Sequence, residues 1–278
     1  MDFSSAPASN YLVTDLVKFL NRGFEAYFVP IQFNTSAFLS MLHKDSIDLS
    51  ASRVLIVDEQ PCGIALIARR AALRASRLAA MGMAKEMRGK GAGSWFMEVL
   101  ITEARQRSDR EMVLEVIEQN EPAVRLYRRY GFQVVRRLLG FTRRGREAEE
   151  HGKSTLYKID LREMGQLISK HGSPDLPWQL SGESIARMNP PACAYRKGQA
   201  YAAVSNLEAE HVVIWSLLVE REARGKGLGA DILKSVIANH DGKTWHAPAI
   251  FPEEFGKVFE RADFEREELS QWQMRLVL

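Results

Sequence analysis

Apolar and polar residues along this chain follow two periods, and each change of period marks an element. Leu16, Phe19, Leu20, Phe24 and Tyr27 recur at helical spacing behind Thr14, which predicts a helix over 14–27 with Thr14 as its cap. A shorter helix follows over 35–43. Three runs rich in β-branched and apolar residues, 52–58, 63–69 and 77–84, predict strands, the first two joined by the turn-like Glu59-Gln60-Pro61. A glycine-rich segment then opens an amphipathic helix carrying Trp95, Phe96, Val99 and Leu100. After a strand over 112–117, Pro122 in a first turn and Gly131 as a stop signal frame a helix over 121–130. Strands over 134–139 and 155–159 are expected to complete the sheet, with a charged surface loop over 142–153 between them. The domain boundary is expected near Asp160.

The second half repeats this order in shortened form. A hairpin over 192–196 and 200–205 turns at Lys197-Gly198-Gln199, and the strongly apolar run 211–219 leads into a second glycine-rich turn. A helix over 231–239, a strand over 245–251, a helix over 254–261 and a closing strand over 271–278 follow. The two turns begin at Arg88 and Arg224, an offset of 136 residues. That period is too long for a solenoid and suits duplication of one small fold. The pattern therefore predicts two domains, 1–160 and 161–278.

Composition changes this picture little. At 278 residues, with 46% hydrophobic and 26% charged residues, the chain can bury two ordinary cores. No apolar run approaches the ~20 residues of a membrane span, and residues 1–10 lack the basic-then-apolar order of a secretory signal. Cys62 and Cys193 stand far apart, which fits a reducing cytosol and neither a disulfide framework nor a cysteine zinc site. A cytoplasmic protein is expected. Residues 1–145 hold 21 basic and 15 acidic residues, the remainder 17 and 20. The basic first half could attract an anionic cosubstrate, but nothing here demands nucleic acid. The six histidines form no His-x-x-x-His pair and His240 and His246 fall in different elements, so no metal is expected. No Gly-x-Ser-x-Gly elbow occurs.

The chemistry concentrates at the first turn, Arg88-Gly89-Lys90-Gly91-Ala92-Gly93. Glycines after a strand and before a helix let successive N–H groups curve around an anion, and the helix start adds partial positive charge. A Walker loop would need Ser or Thr where Gly91 stands, and the glycine spacing of a dinucleotide fingerprint is absent. Alone, such a turn could simply reverse the chain; its recurrence as Arg224-Gly225-Lys226-Gly227-Leu228-Gly229 weighs against that.

Arg88 to Gly93 resembles the Gln/Arg-x-x-Gly-x-Gly/Ala pattern of the GCN5-related N-acetyltransferases. The set Leu114-Glu115-Val116, Asn120, Ala123, Leu126-Tyr127 and Gly131-Phe132 is similar to that family's second signature, most of all in bacterial ribosomal-protein alanine acetyltransferases. The resemblance covers roughly 10–160 and, more faintly, 185–278. It implies an α/β (α+β) protein of two tandem domains, each a mixed, mostly antiparallel, splayed sheet flanked by helices. It further implies an acetyltransferase moving an acetyl group from acetyl-CoA to a primary amine by direct attack through a tetrahedral intermediate. By position, Met83 would offer its N–H to the acetyl oxygen, Ala84 and Lys85 would border the pantetheine arm, and Arg88, Gly89, Lys90, Gly91, Ala92, Gly93 and Ser94 would hold the pyrophosphate. Tyr127 would protonate the departing thiolate, Glu115 would take the amine proton unless water does, and Asn120 would touch the pantetheine or cap its helix. Tyr127 could equally be an ordinary half-buried aromatic, and Glu115 a solvated strand carboxylate.

The second copy departs from this pattern. With Phe264 as the counterpart of Phe132, the tyrosine position holds Phe259, the glycine position Asp263 and the asparagine position Pro252. A copy without the acid is expected to be a poor catalyst, its turn kept either as scaffold or for acyl-CoA. Arg143-Arg144-Gly145-Arg146 could recruit an acidic acceptor or be a solvated loop, and Phe33 and Trp178 could line an acceptor pocket or fill a core. The competing class is a non-catalytic acyl-CoA-binding sensor or scaffold. The acceptor, a small molecule or a peptide N-terminus, and the oligomeric state are not written in the sequence.

Overall fold

The computed structural model describes residues 1–30, 32–145, 155–240 and 242–278. Most of the loop expected over 142–153, with Arg146 of the basic run, lies outside the described residues. The chain forms two compact units, residues 1–135 with 273–278, and residues 136–272. Asp160, where the sequence suggests a boundary, lies inside the second.

In the first unit, β1 (Phe3–Pro7), β2 (Arg53–Val57), β3 (Gln60–Arg70) and β4 (Ala75–Met83) pair antiparallel in that order. β1 lies in the polar N-terminal stretch for which the sequence predicts no element; only its pairing with β2, Phe3 opposite Val57, makes it a strand. Helix α1 (Val13–Gly23) is capped at Leu12 rather than Thr14, and ends before Phe24 and Tyr27. Helix α2 (Thr35–Asp45) is capped by Asn34, whose side chain accepts the Ala37 N–H. Leu16, Val17 and Leu20 of α1 and Phe38 of α2 bury against Val54, Ile64 and Leu66. The alternate residues Ala65 and Ile67 are also buried. β3 thus faces apolar surroundings on both sides.

Helix α3 (Ala92–Gln106) leads to β5 (Glu111–Ile117), which pairs parallel with β4, and helix α4 (Glu121–Arg129) follows. The chain's last strand, β12 (Glu265–Val277), contributes its end beside β5, where the Leu278 N–H donates to the Arg110 carbonyl at 3.0 Å.

The second unit runs in the same order. β7 (Tyr157–Ile159) pairs with β8 (Cys193–Lys197), β8 with β9 (Ala200–Val204) and β9 with β10 (His211–Val219), all antiparallel. β10 pairs parallel with β11 (Thr244–Pro252). β6 (Gln133–Arg143) then pairs antiparallel with β11, Leu138 lying opposite Pro252. The strand expected over 155–159 therefore does not complete the first sheet. It opens the second, as β1 opens the first, because it pairs antiparallel with β8.

Helix α5 (Leu161–His171) and the short α6 (Gly182–Ala186) fill a stretch the sequence reading left without elements. α5 buries Leu161, Met164 and Ile168 with Tyr201 and Ala203, while Ala200, Ala202 and Val204 of the same strand pack with Ile232, Leu233 and Val236 of α7 (Leu228–Ala238). Helix α8 (Gly256–Glu260) precedes β12. Trp178 is buried, and Phe33, half-buried, packs against the first core. Each unit is a mixed, mostly antiparallel sheet with helices packed on it.

Candidate active site

The first unit's site begins where a ladder stops. β4 and β5 pair only from Ala75–Glu111 to Leu78–Leu114, although β4 runs on to Met83 and β5 to Ile117. At the same point β4 carries a bulge: Leu66 pairs with Ala80 and Ile67 with Leu78, leaving Ala79 as the extra residue. A bulge bends and twists its strand, and here it turns β4 away from β5. The gap this leaves is bordered by backbone groups that no sheet partner claims.

The glycine-rich turn lies at the end of that gap. Gly89 and Gly91 hold φ of +76° and +85°, and a Cβ at either would meet nothing within 4 Å. These glycines serve the left-handed backbone. Gly93 differs: a Cβ there would approach the Met83 side chain to 3.2 Å and that of Leu126 to 3.4 Å. The first intrahelical bond of the turn runs from Trp95 N–H to the Gly91 carbonyl at 3.1 Å. The amides of Ala92, Gly93 and Ser94 accordingly head the helix as donors, the usual provision for an anion.

Two residues expected to meet the cosubstrate are engaged otherwise. The Arg88 guanidinium donates to the carbonyls of Met83 at 3.2 Å, Gly23 at 3.1 Å and Glu25 at 2.9 Å. It ties the end of α1 to the end of β4, so its charge is spent on carbonyls. Ala84 is buried, and its N–H donates to the Cys62 carbonyl at 2.8 Å. Lys85 and Lys90 are exposed. Arg129, which the sequence reading passed over, brings its guanidinium to 3.4 Å from the Ser94 hydroxyl, adding a cation at the head of α3.

Tyr127, on α4, is 7% exposed, and among the described residues no hydrogen bond engages its hydroxyl. Burial drives its phenol well above the ordinary tyrosine range, with the neighbouring Tyr27 adding to the effect. Tyr27 is the second residue the sequence reading missed as part of the site, having counted it on the apolar face of a helix. It stands in the turn after α1, in edge contact with Phe24 and Phe28. Its phenol is raised by burial, against which a hydrogen bond from the Asn120 side chain acts. Asn120 does two things: its oxygen caps α4 by accepting the Ala123 N–H, and its amide holds Tyr27.

Glu115 is the first residue of β5 beyond the paired ladder. Its side chain is 3% exposed and accepts from Nε of Arg77 at 2.7 Å; Arg77 in turn lies 3.6 Å from Asp45, at the end of α2. The carboxylate is neither solvated nor free, but part of a buried ion pair.

The second unit reproduces this framework. Its ladder stops after Val213–His246, and β10 carries its extra residue at Trp215, 136 positions after Ala79. Gly225 and Gly227 hold φ of +81° and +80°, and a Cβ on Gly229 would press on Val258 at 3.0 Å. Arg224 repeats the clamp, donating to the Val219 carbonyl at 3.2 Å and to that of His171. The Phe132 N–H donates to the Tyr127 carbonyl, and the Phe264 N–H to that of Phe259, both at 3.1 Å. Asp263, at φ +62°, takes the left-handed place of Gly131.

Comparison with known proteins defines the class. Residues 18–132 match the family model described as Acetyltransferase (GNAT) family. That stretch lies within the first unit. Solved structures extend the likeness in fold to the whole chain. A GCN5-related N-acetyltransferase from Sphaerobacter thermophilus shares 14% identity, with 99% of this chain and 95% of that one covered at a TM-score of 0.68. A tandem GNAT protein from the clavulanic acid biosynthesis pathway shares 13%, covering 99% and 98%, at 0.65. A GCN5-related N-acetyltransferase from Kribbella flavida shares 15%, covering 100% and 71%, at 0.62. Among curated proteins none matches. The chain therefore has the tandem GNAT fold. Among the described residues no helix is long and apolar enough to cross a membrane, and no group of three or more His, Cys, Asp or Glu could hold a metal ion.

Proposed function

We propose that this protein is an acetyl-CoA-dependent N-acetyltransferase whose chemistry takes place in the first unit, on an acceptor amine that is a small molecule or a peptide N-terminus. The observation that carries this reading is Tyr127: a buried, un-ionised phenol with an unengaged hydroxyl, on the helix that follows the gap between β4 and β5. Amine attack on a thioester needs donors for the developing oxyanion, an acceptor for the amine proton and an acid for the departing sulfur. Main-chain amides at the end of β4, with Met83 in the family position, supply the first. The amides of Gly89 to Ser94, with Lys90 and Arg129, hold the diphosphate, and Lys85 borders the arm. Tyr127 gives its proton to the thiolate and recovers one from solvent.

Glu115 does not take the amine proton directly in this reading. Protonating it would leave the buried Arg77 cation with only the more distant Asp45, at a cost of several kcal/mol. Water entering the gap relays the proton instead, and the Arg77–Glu115 pair holds the mouth of the splay. The aromatic turn Phe24–Tyr27–Phe28, fixed through Asn120, offers a wall to the acceptor. In this reading the catalytic domain is the first compact unit, residues 1–135 with 273–278, and the second, residues 136–272, is its shortened copy.

The test is Tyr127→Phe. Turnover should fall by about 10²–10⁴-fold, the usual worth of a general acid, while the dissociation constant for CoA stays within about twofold of wild type. Acceptors would be found by mass-spectrometric screening of acetylated products from amines and peptides. Wild-type protein that binds CoA yet acetylates nothing in such a panel would instead support a sensor.

A further inference from the structure

The first unit holds a second gathering of cations, at the other end of helix α3 from the glycine-rich turn. A hollow of about 320 Å³ is lined there by three arginines from three elements. Arg53 opens β2, Arg69 lies near the end of β3, and Arg107 directly follows α3. The volume falls at the lower end of the range for small-molecule sites. Arg69 pairs with Ser76, at the opposite end of the β3–β4 hairpin from Met83. The 15 residues of α3 put about 22 Å between the hollow and the turn.

The protein's own acceptors use these cations only in part. Arg53 is pinned, its Nε donating to Glu103 at 2.8 Å and its Nη1 to the carbonyls of Ser50 and Ser52 at 2.6 and 3.0 Å. Arg69 donates through one terminal nitrogen to Asp48 at 3.1 Å, while the other lies 4.0 Å from Asp109. Arg107 makes no side-chain hydrogen bond among the described residues; its nearest carboxylates are Asp109 at 3.5 Å and Glu103 at 3.7 Å. The Nε atoms of Arg69 and Arg107 are buried without a partner. An arginine carries five N–H donors in a fixed fork, and much of that capacity is unspent here. The acceptors are better used. Asp48 accepts from the N–H groups of Ser50 and Ala51 with one oxygen and from Arg69 with the other. Asp109, 2% exposed, is not among the lining residues. The side chains of Ser50 and Gln106, both lining and exposed, make no hydrogen bond among the described residues and add further donors. Burial, and then the nearness of Arg69 and Arg53, holds the Arg107 guanidinium below its ordinary pKa against the pull of Asp109 and Glu103. The negative end of α3 does not oppose an anion here, because the carbonyls of Glu103, Ala104 and Arg105 accept the N–H groups of Arg107, Asp109 and Ser108.

We propose that this hollow binds a phosphate group, free or as the monoester of a small molecule, at a site separate from acetyl transfer. A tetrahedral oxyanion offers several edges to converging guanidinium forks, where a planar carboxylate offers one. Arg107 and the free terminal nitrogens of Arg69 and Arg53 are its partners, with Ser50 and Gln106 at hand for the remaining oxygens. This goes beyond the acetyltransferase reading and does not rest on it.

The test titrates the full chain calorimetrically with inorganic phosphate at constant ionic strength. A saturable site with a dissociation constant below about 1 mM is expected. Gln106→Trp, at an exposed position, fills the hollow and should abolish that site. Arg107→Gln removes charge-assisted donors and should weaken it by about tenfold or more. Gly91→Val and Gly227→Val, which block the glycine-rich turns, should each leave it in place. Acetate should bind at least about tenfold more weakly than phosphate. Methyl phosphate distinguishes the two sources: binding as tight as that of inorganic phosphate means a phosphorylated small molecule, and exclusion means the free ion. No site tighter than about 1 mM would overturn the inference. So would a site lost in either glycine variant yet unchanged in Gln106→Trp and Arg107→Gln, or one that takes acetate as readily as phosphate.

Discussion

Replacing Glu115 separates two roles that a single kinetic measurement would confuse. Glu115→Gln removes a carboxylate that is 3% exposed and 2.7 Å from the Arg77 guanidinium, itself 6% exposed. Breaking a buried pair by removing one partner typically costs 3–5 kcal/mol. Asp45, 3.6 Å from Arg77, retains part of the compensation, which places the loss near the lower end, about 3 kcal/mol. At roughly 3 °C per kcal/mol for a chain of this size, the melting temperature should fall by about 10 °C. The companion variant Arg77→Met with Glu115→Leu removes both charges and leaves Lys44 and Asp45, 3.8 Å apart, to neutralise each other. Apolar replacement of a whole buried pair is often neutral, so most of the lost stability should return. Circular-dichroism melting would measure this. Thiol release with an acceptor identified by screening, well below the melting transition, would give kcat for each variant. Because Glu115 is read here as a positioning residue, the double variant should keep kcat within about tenfold of wild type, whereas loss of a general base costs about 10²–10⁴-fold. Recovered stability with a kcat reduced a hundredfold or more would refute the reasoning and make Glu115 the proton acceptor.

Other expectations follow from the same geometry. The Tyr127 phenol sits above the ordinary tyrosine value, so its donor form persists as pH rises through 10. The kcat profile should therefore show no descending limb near pH 10; one that disappears in Tyr127→Phe would contradict this. Gly82→Ala would bring a Cβ to 3.0 Å from the backbone of Gly23 at the end of α1. Overpacking of this kind costs about 1–3 kcal/mol, and KM for the acceptor should rise as the turn bearing Tyr27 shifts; an unchanged melting curve and KM would be evidence against the close approach. Arg88→Met should lower stability by about 2 kcal/mol through the lost bonds to three carbonyls. The dependence of the acetyl-CoA KM on ionic strength should stay as in wild type, whereas a steep KM increase at unchanged stability would return Arg88 to phosphate binding.

Local chemistry was legible where it is local. The glycine turns could be read because left-handed backbone at Gly89 and Gly91, and again at Gly225 and Gly227, demands glycine whatever surrounds it. The tyrosine-to-phenylalanine exchange in the second copy could be read because the following residues keep their spacing, and Asp263 at φ +62° shows that the turn kept its shape as well. Helix α5 was legible in principle: Asp160 caps it, and Leu161, Met164 and Ile168 lie on one face.

The sequence by itself determined the repeated order of elements, the two glycine-rich turns and which copy carries the tyrosine, all properties of short segments legible without their surroundings. Tertiary structure alone decided the rest. β1 is a strand only because β2 offers it a hydrogen-bonding edge, the strand expected over 155–159 pairs with β8 rather than completing the first sheet, and the chain's last residues complete that first sheet from the far end of the sequence. Arg88 and Arg224 became clamps because distant carbonyls converge on them, and Glu115 became half of an ion pair because Arg77 lies on the neighbouring strand. A side chain's role is set by which groups lie within about 3 Å of it, and those groups lie up to 65 residues away in sequence for Arg88 and 38 for Glu115.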